Sequence, residues 1–306
     1  MAILTKTIKN AEFDGIFTEV EHTESLGLRN PHQIRMFHLD VVNNAFSFYA
    51  MHEFLISNIG RYVFSRAKME QFRIDDNLEA VGAKAIGLLR KASKMDESWI
   101  GEELGDILLY VFLEQILGAP KLFSKIELLD CGNTALSGGG VHLLPLGEDS
   151  KAPAYQMIFG KSQIKGDLQD AVDNAFASFV AIRDNTMQEL KVVESTVFSQ
   201  SFDPETAAQL KSIIIPNKKK ADVDKAFGVF LGYSLGLDAE RYSNTEFRAE
   251  LALKMDTDIK AHVAYIAKRI KEMGLGTHSF YFYILPFNDA DGEKSSIMTA
   301  LLEGGA

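Results

Sequence analysis

The stretch from residue 154 to 179, AYQMIFGKSQIKGDLQDAVDNAFASF, constrains the fold of this chain more than any other. Tyr155–Phe159 is an apolar, strand-like run. Gly160 ends it, and Lys161, Ser162 and Gln163 stand at its exit. From Asp167 the apolar positions Leu168, Ala171, Val172, Ala175, Phe176 and Phe179 recur at helical spacing. A strand, a polar exit and a helix form the unit from which α/β proteins are built. Upstream, Ile126–Leu129 and Val141–Leu146 read as two further buried strands.

The remaining pattern extends this unit. Glu12–Val20 and Ile34–Val42 read as strands, with turn signals at Asp14-Gly15 and Asn30-Pro31. Residues 45–92 read as helical, with Phe46, Tyr49, Phe54, Leu55, Ile59, Tyr62 and Val63 in one stripe and a second helix over Asn77–Ala92. Residues 93–118 give a strong helix closed by Gly118 and Pro120. Asp203 and Pro204 open another helix as N-cap and first position. Ala226–Leu235 and His278–Phe287 read as buried strands, separated by a helix over Thr245–Met273. A short helix over Glu293–Leu302 follows. The expectation is α/β: one mixed central sheet flanked by helices, with a helical N-terminal portion, in a single unit over residues 1–306.

Charge and cysteine usage narrow the function. The net charge of −10 does not suit a protein that grips nucleic acid by itself, so such contact must come from a local patch or a partner. Lys218, Lys219 and Lys220 form the one dense basic run. One cysteine, Cys131, excludes a disulfide framework within the chain. Neither a secretory h-region nor an apolar run of roughly 18 residues is present, which points to the cytoplasm and away from a membrane.

Familiar nucleotide and hydrolase motifs are absent. Tyr155 stands where a P-loop ending in Gly160-Lys161-Ser162 requires glycine. No second glycine completes a G-x-S-x-G elbow. Acids do gather in the helix before the strands. Glu102, Glu103 and Asp106 lie in its first turns, and Glu103 and Asp106, three apart, share a face. Such acids complement a helix dipole, or they project into a metal site.

Four segments in order, LGDILLYVFLE, LGAPKLFSKIEL, SGGGVHLLPL and FGKSQIKGDLQDAVDNAF, resemble the HamA or AbpA-like family, the nuclease subunit of the Hachiman anti-phage defence system. The resemblance covers about Gly101–Phe179. It implies a PD-(D/E)xK nuclease-like core over about residues 95–290 and a DNA nuclease controlled by a superfamily-two helicase partner. It also implies Mg²⁺ or Mn²⁺ held by carboxylates. Carried over by position, Asp106 matches the helix acid. Gly139 stands where the family often has Asp, and Lys161 and Gln163 stand where it has Glu and Lys. The catalytic residues implied are Lys161, Gln163 and Asp106. The carboxylates for a metal are Asp106, Glu103, Glu127 and Asp167, and the nucleic-acid contacts are Lys165 and Lys218–Lys220. The missing strand acids leave a second expectation open, a degenerate nuclease fold that binds partner or DNA without cutting.

Overall fold

The computed structural model describes residues 4–8, 12–93, 99–130, 138–147, 154–185, 191, 195, 201–214 and 223–303. A seven-stranded mixed sheet runs through them. In chain order its strands are β1 (Thr18–Val20), β2 (His32–His38), β5 (Lys121–Ser124), β6 (Gly140–Pro145), β7 (Tyr155–Ile164), β8 (Val223–Ser234) and β9 (Ser279–Phe287). Their spatial order is β1-β2-β9-β8-β7-β6-β5. The four central strands β2, β9, β8 and β7 are parallel, and antiparallel pairs finish both edges. A separate two-stranded hairpin, β3 (Val41–Val42) and β4 (Ala45–Phe46), turns through Asn43 and Asn44 at φ 51° and 60°. Two consecutive left-handed residues make the tight turn whose twist suits a hairpin.

The helices are α1 (Tyr49–Val63), α2 (Arg66–Ile74), α3 (Val81–Ser93), α4 (Trp99–Phe112), α5 (Lys125–Asp130), α6 (Leu168–Asp184), α7 (Pro204–Ile214), α8 (Asn244–Glu272) and α9 (Ala290–Glu303). Side chains alternate across a strand, so Phe227 and Phe230 of β8 leave opposite faces. Phe179 of α6 packs on Phe227 and Phe280, whereas Phe112 of α4 packs on Phe230 and Tyr283. Helices α6 and α4 therefore cover opposite faces of the sheet. On the α6 side, α8 is tied across by Arg269 and Tyr265, which both donate to Asp173.

Helix α4 is enclosed. Its positions from Glu103 to Phe112 are all buried. A helix apolar nearly all round belongs inside a protein, and here the sheet lies on one side and α1, α3 and α9 on the other. It runs on into a π-helical turn, Leu113–Leu117, and stops at Gly118 in the left-handed conformation, φ 71°.

Several elements depart from the sequence pattern for identifiable reasons. Ile126–Leu129 is helical, inside α5, and the strand is Lys121–Ser124 just before it. Ser124 and Glu127 exchange backbone-to-side-chain hydrogen bonds as a capping box, which starts the helix there. Gly160 does not end β7, which continues through Ile164. Glu12–Gly15 is a 3₁₀ turn, leaving a strand of three residues after it, and Asn77–Ala92 divides into a 3₁₀ turn and α3. The N-terminal portion is helical only after β1 and β2, which finish the far side of the sheet, and the β3–β4 hairpin.

Candidate functional site

The candidate site lies where α4 crosses β7. Gly105 makes the approach close: a Cβ there would sit 2.7 Å from Ser162 Oγ. Without that side chain, Asp106 comes within reach, and Ser162 Oγ donates to Asp106 Oδ1. On its other side the carboxylate fills the space above Gly139. A Cβ on Gly139 would meet Asp106 Oδ1, Cγ and Oδ2 at 2.3, 2.5 and 2.7 Å. The aspartate of the helix thus occupies the room that a side chain at position 139 would need.

Burial governs the acids of α4. Glu103 is fully enclosed and accepts from Tyr62 Oη at 2.6 Å through Oε1, while its Oε2 is buried without a hydrogen-bond partner. Loss of solvation, then the neighbouring Asp106 charge, push its pKa up to about 8. Desolvation also raises Asp106, opposed by Lys125 and Lys161. Glu114 in the π-helical turn is satisfied by chain segments instead. It accepts from the Thr7 and Ile8 amides at 2.6 and 2.8 Å, from Thr7 Oγ1 at 2.8 Å and from the Lys121 amide at 2.9 Å.

Glu127 points away from this crossing. It pairs with the buried ammonium of Lys121, which also donates to the carbonyls of Arg61, Tyr62 and Phe64 at 2.8, 2.8 and 3.0 Å. Burial lowers the Lys121 pKa and raises that of Glu127, each opposed by the other's charge. This pair closes the C-terminal end of α1, where helix carbonyls lack partners. Asp167 is the N-cap of α6, accepting from the Gln169 and Asp170 amides at 2.7 and 3.2 Å. Lys165 lies in the connection that follows β7. Lys218–Lys220 and Cys131 lie outside the described residues.

Because β7 continues past Gly160, Lys161 and Gln163 leave the face opposite Ser162. Gln163 is buried there, away from α4. Lys161 lies beyond the first pairing of β6, Gly140 with Gly160, and reaches around to place Nζ 3.8 Å from Glu102 Oε2. Lys125 Nζ stands 3.8 Å from the same oxygen. The site thus brings together Glu102, Glu103, Asp106, Lys125, Lys161 and Ser162, and leaves Glu127, Gln163 and Asp167 elsewhere. Lys125 and Ser162 were legible only through the Ser124-x-x-Glu127 cap and the period-two continuation of β7.

The donors do not fit a divalent cation. Mg²⁺ and Mn²⁺ sites gather oxygen ligands whose negative charge is still available. Here the carboxylates of Glu102 and Asp106 already face two ammonium groups, and burial beside Asp106 favours the protonated form of Glu103. Among the described residues no group of three or more His, Cys, Asp or Glu is gathered to hold a metal. Nor is any helix among them long and apolar enough to cross a membrane.

No curated protein and no solved structure matches the chain. A model of the HamA family matches residues 14–301, which takes in every strand of the sheet and the whole α4–β7 crossing. The chain therefore belongs to the HamA family, and with that membership comes a role in anti-phage defence.

Proposed function

We propose that this chain is a defence subunit that works with a helicase partner and engages DNA at the α4–β7 crossing without cutting it. The observation that carries the reading is Lys161. A lysine stands where the family's strand acid is expected, and its ammonium neutralises Glu102 beside Asp106. Cleavage through metal ions needs a carboxylate at that strand position to hold them. Two lysines that converge on one half-exposed carboxylate suit a DNA phosphate, with Glu102 as the counter-charge that the phosphate displaces. The acidic chain as a whole then relies on the helicase to hold DNA in place.

One feature favours a second reading, metal-dependent cleavage: Asp106 occupies the place of the absent strand acid, beside Lys161. A single experiment separates the two. The chain, alone and with its helicase, is incubated with linear and supercoiled DNA in Mg²⁺, Mn²⁺ or EDTA. The first reading expects intact DNA in every condition, and DNA retention in EDTA that falls at least tenfold in the double variant K125E/K161E. Metal-dependent strand breaks abolished by D106A would overturn it.

A further inference from the structure

Among the described residues the sheet has an unpaired edge, and it lies inside a groove. Strand β1 pairs with β2 only over Thr18–His38, Glu19–Phe37 and Val20–Met36. After Val20 the chain diverges, and no backbone hydrogen bond joins residues 21–28 to the first half of β2. His32, Gln33, Ile34 and Arg35 are paired with β9 on one side only. Between this open edge and the departing segment lies a groove of about 760 Å³, within the ~300–1,000 Å³ of formed ligand sites.

Sheet edges of this kind invite an added strand, and proteins usually blunt them. A cleft that keeps the edge reachable is the geometry of recognition by strand addition, in which main-chain bonds supply affinity and flanking side chains select the partner. The selecting charge is negative. Glu19, Glu21 and Glu24 line the groove. Glu19 is held by Arg35, while among the described residues Glu21 and Glu24 make no ion pair, Glu24 acting on Lys260 only at longer range. The occupant must therefore be extended and basic.

We propose that the β2 edge from His32 to Arg35 is a docking slot for an extended, Lys- or Arg-bearing segment of a protein partner, which adds a strand beside β2. Four residues of strand span about 13 Å, so a short peptide suffices to occupy it. The slot opens at the β1–β2 side of the sheet, with β2 three strands away from β7, so its use is independent of the chemistry at the α4–β7 crossing.

The test uses the full chain and a fluorescein-labelled octapeptide of alternating Lys and Val, followed by anisotropy and by hydrogen exchange. Binding is expected together with slowed exchange of amides within residues 32–35. N-methylation of the peptide on alternate residues should abolish binding in one frame and spare it in the other, because only one edge of an added strand faces β2. The double variant E21K/E24K, at one exposed and one half-buried position, should weaken binding at least tenfold while leaving the unfolding curve unchanged. A Glu–Val octapeptide should not bind. Equal binding of the two methylated frames or of the acidic peptide would overturn the proposal. So would protection confined to other segments, or no binding at millimolar peptide.

Discussion

Gly139→Ala tests the packing on which the candidate site rests. The new Cβ would lie 2.3–2.7 Å from three atoms of the Asp106 carboxyl group. Gly139 is not among the glycines with positive φ, so the backbone tolerates alanine and the cost is one of space. Overpacking costs about 1–3 kcal/mol. Displacing the carboxylate also breaks its bond from Ser162, a further ~1–2 kcal/mol. The loss expected is therefore about 2–5 kcal/mol. Asp106→Ala removes all three obstructing atoms. In that background the same Gly139→Ala change should instead stabilise, by about 0.4–1 kcal/mol, because alanine restricts the unfolded chain. The assay is urea unfolding at 25 °C of the wild type, both single variants and the double variant, with slopes compared to confirm a common unfolded state. The sign of one substitution thus reverses with the identity of residue 106. Additivity within about 0.5 kcal/mol would show that Asp106 does not fill the space above Gly139, and would remove the basis for the site.

Other perturbations probe the enclosed helix. Glu103 takes up its proton more readily when folded, with a pKa of about 8 against about 4.5 in the unfolded chain. Its contribution is present below about pH 4.5 and declines as pH rises toward 8, by about 1.4 kcal/mol per pH unit at most. Glu103→Gln keeps the acceptor for Tyr62 and should flatten that decline, so the variant gains on the wild type in unfolding curves at pH 8 but not at pH 4.5. Lys121→Met strands the Glu127 carboxylate and three helix carbonyls, and should lower stability by about 3–5 kcal/mol in urea; adding Glu127→Leu should recover part of the loss. Phe112 meets the rings of Phe13, Phe17, Phe37, Phe230 and Tyr283. Phe112→Ala should cost about 3–5 kcal/mol by thermal or urea unfolding.

The sheet was legible where a strand is apolar on both faces. β9 is buried from end to end and β8 from Ala226 to Tyr233, and both read as continuous hydrophobic runs, as parallel strands covered on both faces do. The last four residues of β7 were not legible, because Lys161 and Gln163 are polar and Gly160 mimics a break. Their strand character comes from the partner β8, with which Lys161–Ile164 pair in register. Local chemistry likewise hid α5: its Ile and Leu residues suit a strand, and the Ser124–Glu127 exchange decides for a helix. The acids of α4 were recognisable as a group sharing one face. Their division between Tyr62, Ser162 and the residue 7–8 segment depends on contacts 41, 56 and more than 100 residues away, which no local pattern encodes.

The same geometry links positions 106, 139 and 161 as alternatives rather than independent choices. At this helix–strand separation, set by Gly105 against Ser162, one carboxyl group fits between α4 and residue 139. An acid on the strand at 139 and an acid on the helix at 106 therefore exclude each other unless the helix withdraws. Placing the acid on the helix buries it and raises its pKa, so a cation nearby becomes necessary to keep it ionised. Lys161 and Lys125 meet that need, and their presence removes the surplus of negative charge that would attract a divalent ion. Reversing the charge at 161 alone would leave Glu102 and Asp106 short of one counter-ion and would not empty the space above Gly139.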